Sequence, residues 1–215
     1  MIKLSPSALW LYQDCKKCFW QHHNEKKRRP SGIFPSLPSG MDKVLKNYFD
    51  SFRPNGIPPE IKETGAKLFV DMEKLKVWRN NFKGIQWIDP KSGALLRGAV
   101  DDILEKNGKL IVLDYKTRGY PLKDDTHLHY QKQIDIYNFL LRANGYKTEN
   151  YGYLLFYHPK HAGDKKTVTF NTDLIKMKSK PGNGKKLFLD AVACLDGDKP
   201  KLHLDHDCKW CKYGK

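Results

Sequence analysis

Two carboxylate patterns set the chemistry open to this chain. Asp101 and the run Asp114-Tyr115-Lys116 stand on either side of Asn107-Gly108, a dipeptide that accepts the positive φ angles of a two-residue type I′ hairpin turn. If Lys106 faces Lys109 across that turn, then Ile103 faces Val112, Asp102 faces Leu113 and Asp101 faces Asp114. Side chains alternate along a strand, so Asp114 and Lys116 share a face, Tyr115 points the other way, and Asp101 rather than Asp102 is their partner. Two carboxylates opposed at about 5 Å repel each other, and a sheet that holds such a pair offers it a cation or leaves one protonated. A divalent metal is the simplest cation, because carboxylate oxygens and a main-chain carbonyl suit a hard ion such as Mg²⁺ or Mn²⁺. A lysine beside that ion can orient a water nucleophile or offset charge on a phosphate.

Cysteine spacing points to a second metal chemistry. Cys15-Lys-Lys-Cys18 and Cys208-Lys-Trp-Cys211 are two Cys-x-x-Cys pairs at opposite ends of the chain, unlike a compact zinc ribbon. Together they form a four-sulfur staple joining the termini, and tetrahedral thiolates accept either Zn²⁺ or an iron–sulfur cluster. Cys194 lies apart from both pairs, on a helical pattern, and is expected to pack.

The elements that must position these groups can be read in order. Ser5 caps a short first helix with Pro6 at its first position. The basic run Lys26 to Arg29 is either a solvated face or a phosphate contact, and Pro30 to Pro38 is a turn-rich connector with Phe34 and Leu37 as anchors. A helix is expected from Met41 to about Phe52, with Val44, Leu45, Tyr48 and Phe49 on its apolar side, and a second from Pro59 to near Trp78. Ile85 to Ile88 reads as a strand and Asp89 to Gly93 as a turn. Asp124, Asp125 or Thr126 can cap a helix running to about Asn144, stopped by Gly145. On it Gln133 and Tyr137 are i and i+4, share one face, and can lie over the hairpin carboxylates. Tyr151–Tyr157 and Thr167–Phe170 read as strands around a loop from Lys160 to Lys166, and Gly184 to Leu195 as a covering helix. His127, His129, His158 and His161 read as solvent contacts or phosphate donors.

Composition narrows the partner. The 215 residues fit one domain: a helical amino-terminal part over 1–80, a catalytic sheet and helix over 85–171, and a carboxyl-terminal helix and cysteine tail over 172–215. The 39 Lys and Arg against 24 Asp and Glu give a net charge of +15, which favours nucleic acid through counterion release. No apolar run approaches the ~20 residues of a membrane span, and paired cysteines suit a reducing compartment. The expected setting is therefore cytoplasmic, with no membrane partner.

Gly98-x-x-Asp101, Asp114-x-Lys116 and Gln133-x-x-x-Tyr137 together resemble the PD-(D/E)xK nuclease superfamily, most of all its RecB-like branch, which includes AddB nuclease domains and small CRISPR-associated exonucleases. The resemblance runs from about Ser5 to Cys211. It implies an α/β restriction-endonuclease-like core, a mixed central sheet flanked by helices, with the chain ends joined by a four-cysteine metal centre. It implies Asp101, Asp114 and the Tyr115 carbonyl as ligands of Mg²⁺ or Mn²⁺, Lys116 as the catalytic lysine, and Gln133 and Tyr137 as the helix motif near DNA. Many relatives carry a metal-binding histidine in a Gly-x-x-His context, where this chain has Gly40-Met-Asp42-Lys43. Asp42 either replaces that ligand or favours the positive helix end. The resemblance also implies a 4Fe–4S cluster on Cys15, Cys18, Cys208 and Cys211, although relatives place one cysteine early and three late, which keeps zinc open. The expected function is a metal-dependent DNA nuclease, with exonuclease action on single strands or free ends. The alternative is a nucleic-acid-binding or adaptor module that keeps the fold without turnover.

Overall fold

Asn107 and Gly108 take φ angles of 52° and 71°, and the turn they form joins strands at Asp102–Lys106 and Lys109–Thr117 with Lys106 opposite Lys109 and Asp102 opposite Leu113. The computed structural model describes residues 1–30, 32, 35–201, 208 and 210–211. Its elements run β1 (Lys3–Leu4), α1 (Pro6–Asp14), α2 (Lys16–Asn24), α3 (Ser36–Asp50), a 3₁₀ turn at Pro59–Thr64, β2 (Lys67–Leu68) and α4 (Met72–Trp78). There follow β3 (Ile85–Ile88), β4 (Leu95–Gly98), β5 (Asp102–Lys106), β6 (Lys109–Thr117), a 3₁₀ turn at Thr126–Tyr130, α5 (Gln131–Ala143), β7 (Tyr151–Gly163), β8 (Thr167–Lys178) and α6 (Pro181–Asp196).

The five-stranded sheet has the order β2-β5-β6-β7-β8, with the hairpin at its middle. Only β6 and β7 pair in parallel, so the sheet is mixed. Parallel neighbours need a crossover of a dozen or more residues, and α5 is that crossover. A second sheet, β1-β4-β3, lies beside it. Leu110 to Tyr115 are all buried, as a central strand covered on both faces requires. Leu110 and Val112 join the cluster containing Ile134 and Leu140 of α5, while Ile111, Leu113 and Tyr115 join Leu45 and Phe49 of α3. Among the described residues, no helix is long and apolar enough to cross a membrane.

Several boundaries differ from the sequence reading. The hairpin ladder ends at Asp102; Gly98 belongs to β4 in the other sheet, so Asp101 sits past the ladder rather than paired with Asp114. The helix expected from Pro59 to Trp78 is broken, because Gly65 takes a left-handed φ of 63° and Leu68 pairs with Leu104 as part of β2. Asp71 then caps α4 by accepting the Lys74 N–H at 3.0 Å. Helix α3 begins at Ser36 rather than Met41; Pro38 falls in its first turn, where a missing N–H costs nothing. Leu37 is exposed and anchors nothing, Val44 is exposed on the side expected to be apolar, and Phe34 lies outside the described residues. Strand β7 runs on into the expected loop, with His161 to Gly163 paired to β8, and β8 continues to Lys178.

A buried ionic clamp holds the point where the chain passes between sheets. Asp102 is fully buried and forms ion pairs with Arg53 and Arg79. It also accepts the Tyr115 hydroxyl at 2.7 Å and the Ile103 N–H at 2.7 Å. Asp50 balances the second positive charge, 2.5 Å from Arg53 and 2.7 Å from Arg79. Removing one member of such a network strands the others in a dry interior. Asp102→Ala should therefore lower unfolding free energy by about 3–5 kcal/mol, read by urea denaturation; a loss under about 0.5 kcal/mol, the scale of a surface substitution, would show that the clamp is dispensable.

Candidate active site and a four-cysteine centre

Strand parity sends Asp114 and Lys116 to the α5 face with Val112, and the parallel crossover lays α5 over them. Asp114 is 1% exposed. Its Oδ1 accepts the Gln133 side-chain amide at 2.9 Å, while its Oδ2 has no hydrogen bond and is ion-paired with the Lys116 ammonium. Lys116 also donates to the Gln133 carbonyl oxygen at 3.2 Å, and the Gln133 amide lies 2.9 Å from the Tyr137 hydroxyl. Gln133 thus holds both strand groups, and Tyr137 holds Gln133. Gly98 permits the approach: a Cβ there would stand 2.8 Å from Leu140 Cδ1 and 2.9 Å from Tyr137 Cε1, closer than side-chain atoms pack.

Asp101 completes the group from the other side. Its Oδ2 accepts the Tyr115 N–H at 3.0 Å, which places it beside the Tyr115 backbone, whose side chain packs on the opposite face with Phe49. Its own carbonyl accepts Arg79 Nε at 2.7 Å, so the clamp on Asp102 also fixes Asp101. From α3, Lys46 Nζ stands 2.7 Å from Asp42 Oδ2 and 3.1 Å from Asp101 Oδ1. Asp42 therefore reaches the carboxylate group through Lys46. The sequence reading missed Lys46, although its i,i+4 spacing from Asp42 was a usable signal. It also missed Tyr130, whose ring lies 4.5 Å from the Lys116 ammonium.

Burial dominates the electrostatics. It raises the Asp114 carboxyl to about 7, with Asp101 adding to the rise and Lys116 opposing it. Burial also raises Asp42, helped by Asp101 and opposed by Lys46. Burial pulls Lys116 and Lys46 downward, but their carboxylate neighbours prevail and both end above the ordinary value. Tyr137 is pushed well up, first by burial and then by Asp114 and Asp101, so its phenol stays protonated. The donors offered here are oxygens alone, which fits a hard divalent ion. Asp114 Oδ2, buried and paired with the Lys116 ammonium, would keep room for such an ion on its remaining lone pair.

The four cysteines form a separate centre. Cys15–Cys211, Cys18–Cys208 and Cys18–Cys211 sulfurs lie 3.6, 3.6 and 3.3 Å apart, and all four lie within 4.8 Å of one another. Among the described residues this is the one group of three or more metal-capable side chains drawn so close. Burial pushes the Cys208 thiol up, but the N–H groups of Cys211 and Trp210 and the neighbouring sulfurs bring it down to about 6. Burial and its thiol neighbours raise Cys211. Arg29, expected on a solvated face or at a phosphate, donates to Cys208 Sγ at 3.2 Å and pairs with Asp14. Cys194 stays outside the centre and packs against the main core. Of His127, His129, His158 and His161, His158 is buried, with Nε2 3.2 Å from Asp173, rather than solvent-facing.

The model of the PD-(D/E)XK nuclease superfamily matches residues 20–215. The chain belongs to that superfamily. The match spans every carboxylate, lysine and glutamine of the site, and two of the four cysteines, Cys208 and Cys211. No curated protein matches this superfamily member. Among solved structures it is similar to the protein SSO0001, at 16% identity and a TM-score of 0.44 over 98% of this chain and 82% of the other. It is also similar to LHK-Exo, an alkaline exonuclease from Laribacter hongkongensis, at 10% identity and a TM-score of 0.41 over 90% of this chain and 86% of the other.

The raised Asp114 carboxyl has a signed consequence for the metal-free protein. An acid that binds its proton more tightly when folded contributes stability that is complete below its unfolded value and is lost as pH rises through about 7. In EDTA, the melting temperature of Asp114→Asn should gain on that of the wild type between about pH 5 and about pH 8. The same difference at both pH values would contradict the burial-driven rise.

Proposed function

We propose that this superfamily member is a metal-dependent DNA nuclease that hydrolyses phosphodiester bonds. The observation that carries the reading is the buried Asp114, joined by one glutamine to Lys116 and approached by Asp101 across the Tyr115 backbone. Asp101 and Asp114 would hold Mg²⁺ or Mn²⁺, with the Tyr115 carbonyl and Asp42 as further oxygen donors. An ion held there lowers the pKa of a bound water and stabilises charge on the scissile phosphate. Lys116 orients the attacking water or offsets phosphate charge. Gln133 fixes the Lys116 ammonium and the Asp114 carboxylate relative to each other, and Tyr137 fixes Gln133. The net charge of +15 supports a nucleic-acid substrate. With about 5 mM Mg²⁺ or Mn²⁺ and end-labelled DNA, Asp114→Ala and Lys116→Ala should each reduce cleavage about 10²-fold or more, and EDTA should abolish it. Equal cleavage by the wild type and both variants would overturn the assignment.

A second reading has one observation in its favour. Lys46 already places a positive charge between Asp42 and Asp101, which suits a DNA-binding module without turnover. Such a module would bind DNA with salt-dependent affinity and show no Mn²⁺ site that Asp114→Ala removes.

For the cysteine centre, the spacing supports one tetrahedral ion over a 4Fe–4S cluster. Four sulfurs about 2.3 Å from one Zn²⁺ stand roughly 3.8 Å apart, near the 3.3–3.6 Å contacts seen. Thiolates on four separate irons of a cluster must stand further apart. Purified protein should be colourless and carry about one zinc, and Cys208→Ala should lower the melting temperature by several degrees, as loss of a folding-linked metal does. A brown protein with iron and visible absorbance would reverse the choice of metal.

A further inference from the structure

A cleft of about 520 Å³ opens beside the catalytic strand, bounded by α1, the 3₁₀ turn Thr126–Tyr130 and α5. Its volume falls in the ~300–1,000 Å³ range of small-ligand sites. Leu9 and Ile136, both buried, give it an apolar base. Three basic side chains, Arg118, His129 and Lys132, also line it, and no acidic residue does among those described. Gln133 lines it as well, so the residue that holds Asp114 and Lys116 is a shared wall. Tyr130 lines it while its ring meets the Lys116 ammonium. Trp10 contributes an indole that is 62% exposed, a large aromatic surface on α1 that no core cluster absorbs.

We propose that this cleft is a subsite for an unpaired nucleobase, with Trp10 as its stacking surface and Arg118 and Lys132 as contacts for the flanking phosphates. It rests on the nuclease reading for the identity of the polyanion, and it adds which form of DNA the site prefers. An aromatic face beside positive charge is how proteins hold single strands without reading sequence, since every base offers a π-face. In a duplex, both faces of an internal base are already stacked on neighbours, so a paired strand cannot use Trp10 without fraying. Continuity through Gln133 and Tyr130 places the bound nucleotide next to the catalytic lysine. A single-stranded end or overhang is therefore preferred to a blunt end.

The test is fluorescence anisotropy in EDTA, where nothing is cleaved, using a labelled single-stranded oligonucleotide and a blunt duplex of the same sequence. Wild type should bind the single strand more tightly, with quenching of tryptophan emission. Trp10→Ala should weaken single-strand binding about tenfold, leave duplex affinity and melting temperature unchanged, and lose most of the quenching; Trp10→Phe should restore most of the affinity. Arg118→Ala and Lys132→Ala should each flatten the salt dependence of single-strand binding by about 0.7 in the log–log slope. Single-strand affinity untouched by Trp10→Ala, or equal losses on both DNA forms, would overturn the subsite. Because the measurement needs no turnover, its failure leaves the Asp114→Ala cleavage result standing, and a failed cleavage assay leaves it standing in turn.

Discussion

The architecture depends on burying one carboxylate, Asp102, at the point where the chain leaves one sheet for the other. An isolated charge there would be prohibitive, and the structure answers with two arginines, a tyrosine hydroxyl and a backbone N–H. Those partners come from distant stretches: Asp50 ends α3, Arg53 follows it, Arg79 caps α4 and Tyr115 lies on β6. The clamp therefore ties the helical amino-terminal part to the central hairpin. Through the Arg79 contact to the Asp101 carbonyl, it sets the backbone from which the neighbouring carboxylate reaches the site.

The face that carries Asp114 and Lys116 is assembled by connection geometry. Because β6 and β7 run parallel, the chain must travel back over the sheet, and α5 makes that journey with Gln133 and Tyr137 on its underside. The site is a place where several buried polar groups share few protons. Gln133 serves both Asp114 and Lys116 with one side chain, and its amide orientation is fixed because its carbonyl oxygen must face the ammonium and its amide nitrogen the carboxylate. Such networks are rigid when every member is satisfied. Here Asp114 Oδ2 meets the Lys116 ammonium as an ion pair rather than through an aligned hydrogen bond.

Apart from the carboxylates, the two cysteine pairs draw residues almost 200 positions apart into contact. Loop closure on that scale is costly for a chain without a cross-link, and α2, entered directly from Cys15, presents Cys18 one turn later. Arg29 adds a guanidinium to a cluster of sulfurs, an arrangement that offsets thiolate charge.

Much of this was written locally. Asn107-Gly108 determined the hairpin and its register, because only such residues accept two successive positive φ angles. The two-residue period separated Asp101 from Asp102, the i,i+4 spacing put Gln133 beside Tyr137, and the Cys-x-x-Cys pairs announced a shared centre. What the sequence could not determine was where local patterns stop. The helix expected across Pro59 to Trp78 had adequate spacing, yet Leu68 was taken by β5 as a strand partner, and tertiary pairing outweighs a weak helical preference. The place of Lys46 between Asp42 and Asp101, the recruitment of Arg29 to the cysteines and the burial of Asp102 each need two segments far apart in sequence to meet. Charge identity is local, but whether a charge is solvated, paired or aimed at a site depends on what packs against it, and only the folded chain decides that.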